Sequence, residues 1–331
     1  MRIFKVGALA MAVLGACSAA ASAKVPRIVT DMPVVHALVT QVMGDLGPVD
    51  LLLDRGGDVH SYQMRPPQAQ ALAAADVVFW VGPELTPWLE RVRETLAPQA
   101  LSVPLLKVPG LALIAADHDH DHEHEHEHEH EHGHDHDHDH ADGAAHDDTP
   151  SDVQPDTQES HDPHAWLDPL IAQQWLQEIA RVLAERDSAH AAQFHRNADL
   201  AVAQIATLSD RLQARLAPIQ GRAFLVYHDA YGYFARAFDL QLMGALALSD
   251  AQAPSAERLT ALRADMQADG VVCLFPEAQH DPQLALSVIE GTPVRLGGML
   301  DPSGSTLPPG ADLYETMMQA LAAQLIACLA P

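Results

Sequence analysis

The chain has 331 residues, 48% of them hydrophobic, with 19 basic against 45 acidic side chains and a formal charge of -26. That length and apolar content suit two globular units with cores of their own and exclude a chain disordered throughout. No basic cluster is present to neutralise phosphates, which excludes nucleic acid as a partner, and 17 of the 45 acids fall between Asp117 and Glu159, so the remainder is only moderately acidic.

Residues 1–23 read as a cleavable export signal. Arg2 and Lys5 precede an apolar run from Val6 to Ala16, and Ala21-Ser22-Ala23 is the small-x-small pattern that signal peptidases cut. The run is far short of the roughly 20 residues that a spanning helix needs. A mature chain beginning near Lys24 is therefore expected in the periplasm. The alternative is lipid anchoring at Cys17, because Leu14-Gly15-Ala16-Cys17 resembles a lipoprotein cleavage box.

Residues 24–186 are expected to form a first α/β lobe. The strand-like runs Ile28–Thr30, Val49–Leu53 and Val77–Val81 alternate with helical patterns over 34–43 and 67–75, which predicts a parallel sheet flanked by helices. Within this lobe, 117–160 is of another kind. Histidine alternates with Asp or Glu from His118 to His140, and Gly, Ala, Ser, Pro and Thr follow, which predicts a solvated, disordered loop. Solubility would need only the carboxylates. Thirteen imidazoles among them point to metal ions, held weakly and interchangeably because ordering the loop costs chain entropy.

Residues 169–218 contain no Gly and carry Leu176, Ile179, Val182 and Leu183 at helical spacing. In the linking segment 187–218, Asp187 or Ser188 is expected to cap a helix running to about Leu216, some 28 residues or roughly 40 Å at about 1.5 Å per residue. Such a strut favours modest rocking over wide hinge closure. The α/β pattern then restarts in a second lobe, 219–331, with runs at 223–227, 240–248, 271–275 and 294–296. Removal of the signal would leave two cysteines, Cys273 and Cys328, which an oxidising compartment is expected to join, pinning the terminal helix; two buried thiols is the other reading.

Eight histidines lie outside the tract. His60 follows a predicted strand, His228 ends one, and His161 and His164 lie in the loop just before the helical connection. In α/β units the carboxyl ends of strands converge on the ligand crevice, so these loops can meet between the lobes. Zn²⁺ asks for three or four N, O or S ligands in a tetrahedron, and histidines on short strand-end loops supply them at small ordering cost. A lone loop histidine is usually a hydrogen-bonded structural residue; several beside a metal-binding tract read as ligands. His190 and His195 are expected on an exposed helix, and His36 and His280 at the surface or in support.

The segments Gly57-Asp-Val-His60-Ser-Tyr-Gln-Met-Arg-Pro66, Asp162-Pro-His164-Ala-Trp-Leu-Asp-Pro169, Tyr227-His228-Asp-Ala-Tyr-Gly-Tyr-Phe234 and Leu300-Asp301-Pro resemble the ligand loops of the zinc-specific cluster A-I solute-binding proteins, the ZnuA type. The likeness runs from Arg27 almost to the C-terminus and includes the acidic histidine tract and the cysteine pair. It implies two similar lobes joined by one long helix, with the metal in the interlobe cleft on His60, His164 and His228. It implies Asp301 or water as fourth ligand, since Val59 stands where some members have Glu. Manganese-binding relatives have Glu where this chain has His228, and hard Mn²⁺ favours oxygen, so the histidine set argues for zinc.

The resulting expectation is a carrier and not an enzyme: a monomer that captures Zn²⁺ in the periplasm and delivers it to an ABC permease with a separate ATPase, with further Zn²⁺ ions on the histidine tract. The alternatives are a periplasmic zinc buffer or chaperone acting through the tract, and a manganese-binding homologue. A secreted zinc hydrolase is a rival from another class, but outside the histidine tract the chain has no His-Glu-x-x-His, and no Glu stands beside a ligand to act as base.

Overall fold

The structure is a computed structural model and describes residues 25–116, 160–247, 255–268 and 270–331. The expected export signal, Cys17, and all of the histidine tract but its last position lie outside the described residues.

The first sheet has four parallel strands in the order β2-β1-β3-β4: β1 (Ile28–Thr30), β2 (Val49–Leu51), β3 (Val77–Trp80) and β4 (Leu101–Pro104). Between them run α1 (Pro33–Met43), α2 (Pro66–Ala73) and α3 (Pro87–Leu96), each opened by a proline, whose fixed φ and missing N–H suit a first helical turn. α1 is apolar nearly all round and is buried at Val34, Val35, Leu38, Val39, Val42 and Met43. Helices flank it because α4 (Pro169–Arg186) and the long α5 (Ala191–Leu216) cover the side that the sheet does not.

The second sheet repeats the plan with order β6-β5-β7-β8: β5 (Phe224–His228), β6 (Leu242–Ala247), β7 (Cys273–Phe275) and β8 (Arg295–Leu296), all parallel. Its helices are α6 (Gly232–Phe238), α7 (Ala256–Ala268), α8 (Gln283–Ile289) and α9 (Leu313–Leu329). Just past β8, the chain runs so close to the end of β7 that a Cβ at Gly297 would overlap the Phe275 ring. Cys273 and Cys328 are joined, tying the start of β7 to the last turn of α9.

α5 has 26 residues, about 39 Å of helix. Its stripe of Phe194, Ala198, Ala201, Ile205, Leu208, Leu212 and Leu216 is buried. α4 lies along it, and α1 and α9 pack on it from the two lobes, so it is the spine of a shared apolar core and not a bare strut. Its start differs from the expected cap. Asp187 closes α4 and takes a 2.6 Å bond from His190 Nδ1, and His190, half-buried in the turn, precedes the first residue of α5. No helix among the described residues is long and apolar enough to cross a membrane.

Candidate metal centre

Each histidine reaches the centre from a loop that its own neighbours hold. After β2 the chain turns at Asp58, whose Oδ1 accepts the His60 N–H at 2.8 Å, while the Trp88 indole donates to the Val59 carbonyl at 2.9 Å. The 162–164 turn repeats the device, with Asp162 Oδ1 accepting the His164 N–H at 2.9 Å. Asp and Asn favour such turns because a short side-chain acceptor can replace a main-chain one two residues on. His228 needs no turn: it is the last residue of β5.

These elements bring the three rings together, with centroids 5.6 Å apart for His60 and His164, 6.1 Å for His60 and His228, and 5.2 Å for His164 and His228. One ligand atom from each lies within 4.8 Å of the other two. His164 and His228 are 5% and 2% exposed. Their Nε2 atoms face each other at 3.3 Å. Two nitrogens of a tetrahedral Zn²⁺ with bonds of about 2.05 Å stand about 3.3 Å apart, so this edge already has the spacing of the metal's coordination polyhedron.

Carboxylates set the rings. Asp162 Oδ1 lies 2.7 Å from His164 Nδ1, and Glu277 Oε2 lies 2.6 Å from His228 Nδ1. A carboxylate accepts only, so each Nδ1 carries the proton and each Nε2 is left with its lone pair directed inward. Between two such nitrogens a 3.3 Å contact is favourable only with a proton or a cation in it, and a metal cation takes both lone pairs in two bonds. Glu277 is 1% exposed and also accepts the His228 main-chain N–H at 3.2 Å. It follows β7, the strand beside β5, so the pair occupies the point where the strand order reverses, the usual ligand crevice of such sheets.

The centre opens on a cavity of about 10 Å³ bordered by the three histidines, Glu277, Pro302 and Ser303. That is room for one water-sized body. A larger cavity of about 280 Å³, open to solvent, shares His60 and His164 and is lined by Glu84, Asp162 and Asp229.

Asp301 is not brought into the group. Its Oδ1 accepts from Gln279, Ser303 and the Ser305 N–H, and its Oδ2 from the Thr306 N–H and hydroxyl, at 2.6–3.3 Å, so the carboxylate organises its own turn. Val59 is 5% exposed and packs in the core. His280 stacks on Tyr227 at 4.1 Å and groups with Glu277 and His228, in support of the centre. His36 is a structural residue: its Nε2 lies 3.1 Å from the Val49 carbonyl, and burial lowers its pKa. His195 is exposed on α5. The residue that sequence reasoning missed is Glu277. Its signal was available, because Glu277 follows a predicted strand just as His228 ends one.

The family model described as zinc-uptake complex component A periplasmic, ZnuA, matches residues 28–328. A high-affinity zinc uptake system protein ZnuA of Paracoccus denitrificans is 49% identical over 321 residues, covering 96% of each chain. The protein of that name from Brucella abortus is 35% identical, covering 95% of each. The solved periplasmic zinc binding protein TroA from Treponema pallidum superposes with a TM-score of 0.71, covering 92% of this chain and 99% of its own; at 18% identity it attests the fold. With the family model spanning almost the whole described length and relatives this similar from end to end, the chain belongs to the ZnuA family.

Proposed function

We propose that this protein captures Zn²⁺ in the periplasm on His60, His164 and His228 and delivers it to an ABC permease that works with a separate ATPase. The relatives at 49% and 35% identity are zinc uptake proteins by name. The observation that carries the reading is the pair of Nε2 atoms of His164 and His228, 3.3 Å apart at the edge length of a tetrahedral zinc site, with Asp162 and Glu277 on the opposite ring nitrogens. Imidazole donors suit Zn²⁺ better than Mn²⁺.

Water takes the fourth position in this reading, and Asp301 shapes the turn that closes over it, since ligation would draw the carboxylate away from five donors. The lobes 24–186 and 219–331 move little against the helix 187–218 that joins them, because α4, α1 and α9 all bear on α5. Residues 1–23 direct export and are removed. The histidine tract holds further Zn²⁺ ions weakly, and the carrier acts as a monomer.

Calorimetric Zn²⁺ titration of the mature protein, alone and with His60, His164 and His228 changed to Ala, tests the centre. One tight site on top of weaker ones, lost in the triple variant, is the expected result. Tight binding that survives the triple substitution would move the function to the tract.

A further inference from the structure

α6 begins four residues after His228, and two of its side chains reach the first lobe. The Tyr233 hydroxyl accepts the Ile114 N–H and donates to the Asp162 carbonyl, both at 2.9 Å. Those partners belong to one short ladder: Asp162 N–H donates to the Ile114 carbonyl at 2.9 Å, Ala115 pairs antiparallel with His161, and Ala116 N–H donates to the Ser160 carbonyl at 2.8 Å. One turn along α6, Arg236 lies over the Tyr233 ring at 5.0 Å and donates to the Ala112 carbonyl at 2.8 Å and to Asp168 Oδ2 at 3.0 Å. The other oxygen of Asp168 caps α4 through the Leu170 N–H.

Asp162 is thus gripped from two sides. Its carbonyl takes the hydroxyl of the second lobe, and its carboxylate holds both the main-chain N–H and the Nδ1 of His164. The ladder joins two irregular stretches of the first lobe, which lack the support of a sheet. Bonds from Tyr233 and Arg236, on a helix rooted beside His228, tie them to the second lobe. Metal sites tolerate only about 0.5 Å of ligand misplacement, so the orientation of Asp162 bears directly on His164.

We propose that Tyr233, braced by Arg236, is a positioning residue for zinc: a clasp from the second lobe that fixes the Asp162 main chain and, through it, the ring of His164 in register with His228. The clasp rests on the reading of His60, His164 and His228 as the zinc site. It acts on residence time, because zinc leaves when a first-lobe ligand and a second-lobe ligand come apart, and the clasp spans that division.

The test uses the mature full-length chain loaded with one equivalent of Zn²⁺ and chased with excess chelator, comparing wild type with Tyr233→Phe. Nitrogen-15 spectra of the histidine rings and melting of the metal-free proteins are recorded alongside. Tyr233→Phe removes both bonds and keeps the ring under Arg236. The expected result is zinc dissociation about tenfold faster, with the His164 ring signals shifted or broadened, those of His228 unchanged, and metal-free melting close to wild type. A wild-type dissociation rate overturns the clasp alone. So does faster loss with unchanged His164 signals, or loss no greater than in the remote and more destabilised variant Cys328→Ser, either of which leaves Tyr233 a packing residue. A wild-type chain with no tight zinc refutes the three-histidine reading and the clasp with it.

Discussion

Glu277→Gln separates a zinc site built from oriented imidazoles from one in which any nearby nitrogen suffices. Glu277 meets two donors of His228, the main-chain N–H with Oε1 at 3.2 Å and Nδ1 with Oε2 at 2.6 Å. Glutamine has the same shape but one acceptor. If its oxygen faces Nδ1, its amide N–H₂ meets the His228 N–H, donor against donor in a site 1% exposed. If it flips, the amide donates to Nδ1, moves the ring proton to Nε2 and removes the lone pair that binds zinc. Either arrangement costs about 1–3 kcal/mol, the penalty of a buried unsatisfied polar group. The outer partner of a ligand histidine is worth 10–100-fold in metal affinity, about 1.4–2.7 kcal/mol, which agrees. Zinc affinity measured by competition against a chelator of known strength should fall by that factor in Glu277→Gln. Far-ultraviolet dichroism should be unchanged. Affinity within threefold of wild type would refute the argument that the carboxylate sets the tautomer.

Asp301→Asn should leave zinc affinity within a few-fold of wild type in the same competition assay, since the carboxylate serves the 301–306 turn; a loss of a hundredfold or more would make Asp301 the fourth ligand. Asp31 is fully buried at the end of β1, where burial raises its pKa from 3.8 to about 7 against the opposing bonds from the Met32 and Val81 N–H groups and Thr86. The folded protein therefore holds that proton over a range where the unfolded chain has lost it. This contribution to stability is fully present below pH 3.8, falls as pH rises to about 7 and is flat above. Melts of metal-free protein from pH 4 to 8 should show that slope in wild type and lose it in Asp31→Asn; an equal slope in both would assign it elsewhere. Reducing the Cys273–Cys328 bond, which closes a separation of 55 residues, should cost about 3–4 kcal/mol on the chain-entropy account. The bond lies at the start of β7 and the far end of α9, so the zinc competition curve should stay where it was.

Where the sequence was legible, the chemistry of a segment showed in the segment itself. Ile28–Thr30 and Val77–Trp80 are strands buried on both faces and read as short apolar runs. His60 and His228 read as lying at strand ends and His164 in the loop before the helical connection, and those positions place them at a crevice before any contact is known. Asp187 was misread as the cap of the next helix because capping chemistry is local to either end of a turn. Here it closes α4 and bonds His190 instead. What remained hidden is whatever depends on contact between distant segments. The Tyr233 hydroxyl meets only main-chain atoms, at 114 and 162, and a main-chain partner leaves no mark on residue identity. Asp301 shows the converse situation, which the Asp301→Asn titration decides. Its place in a ligand-loop motif suggested coordination, yet a carboxylate that already has five donors would have to be drawn out of its own turn before it could reach a metal. A motif locates a group along the chain, and the donors around that group decide whether its lone pairs are available to the metal.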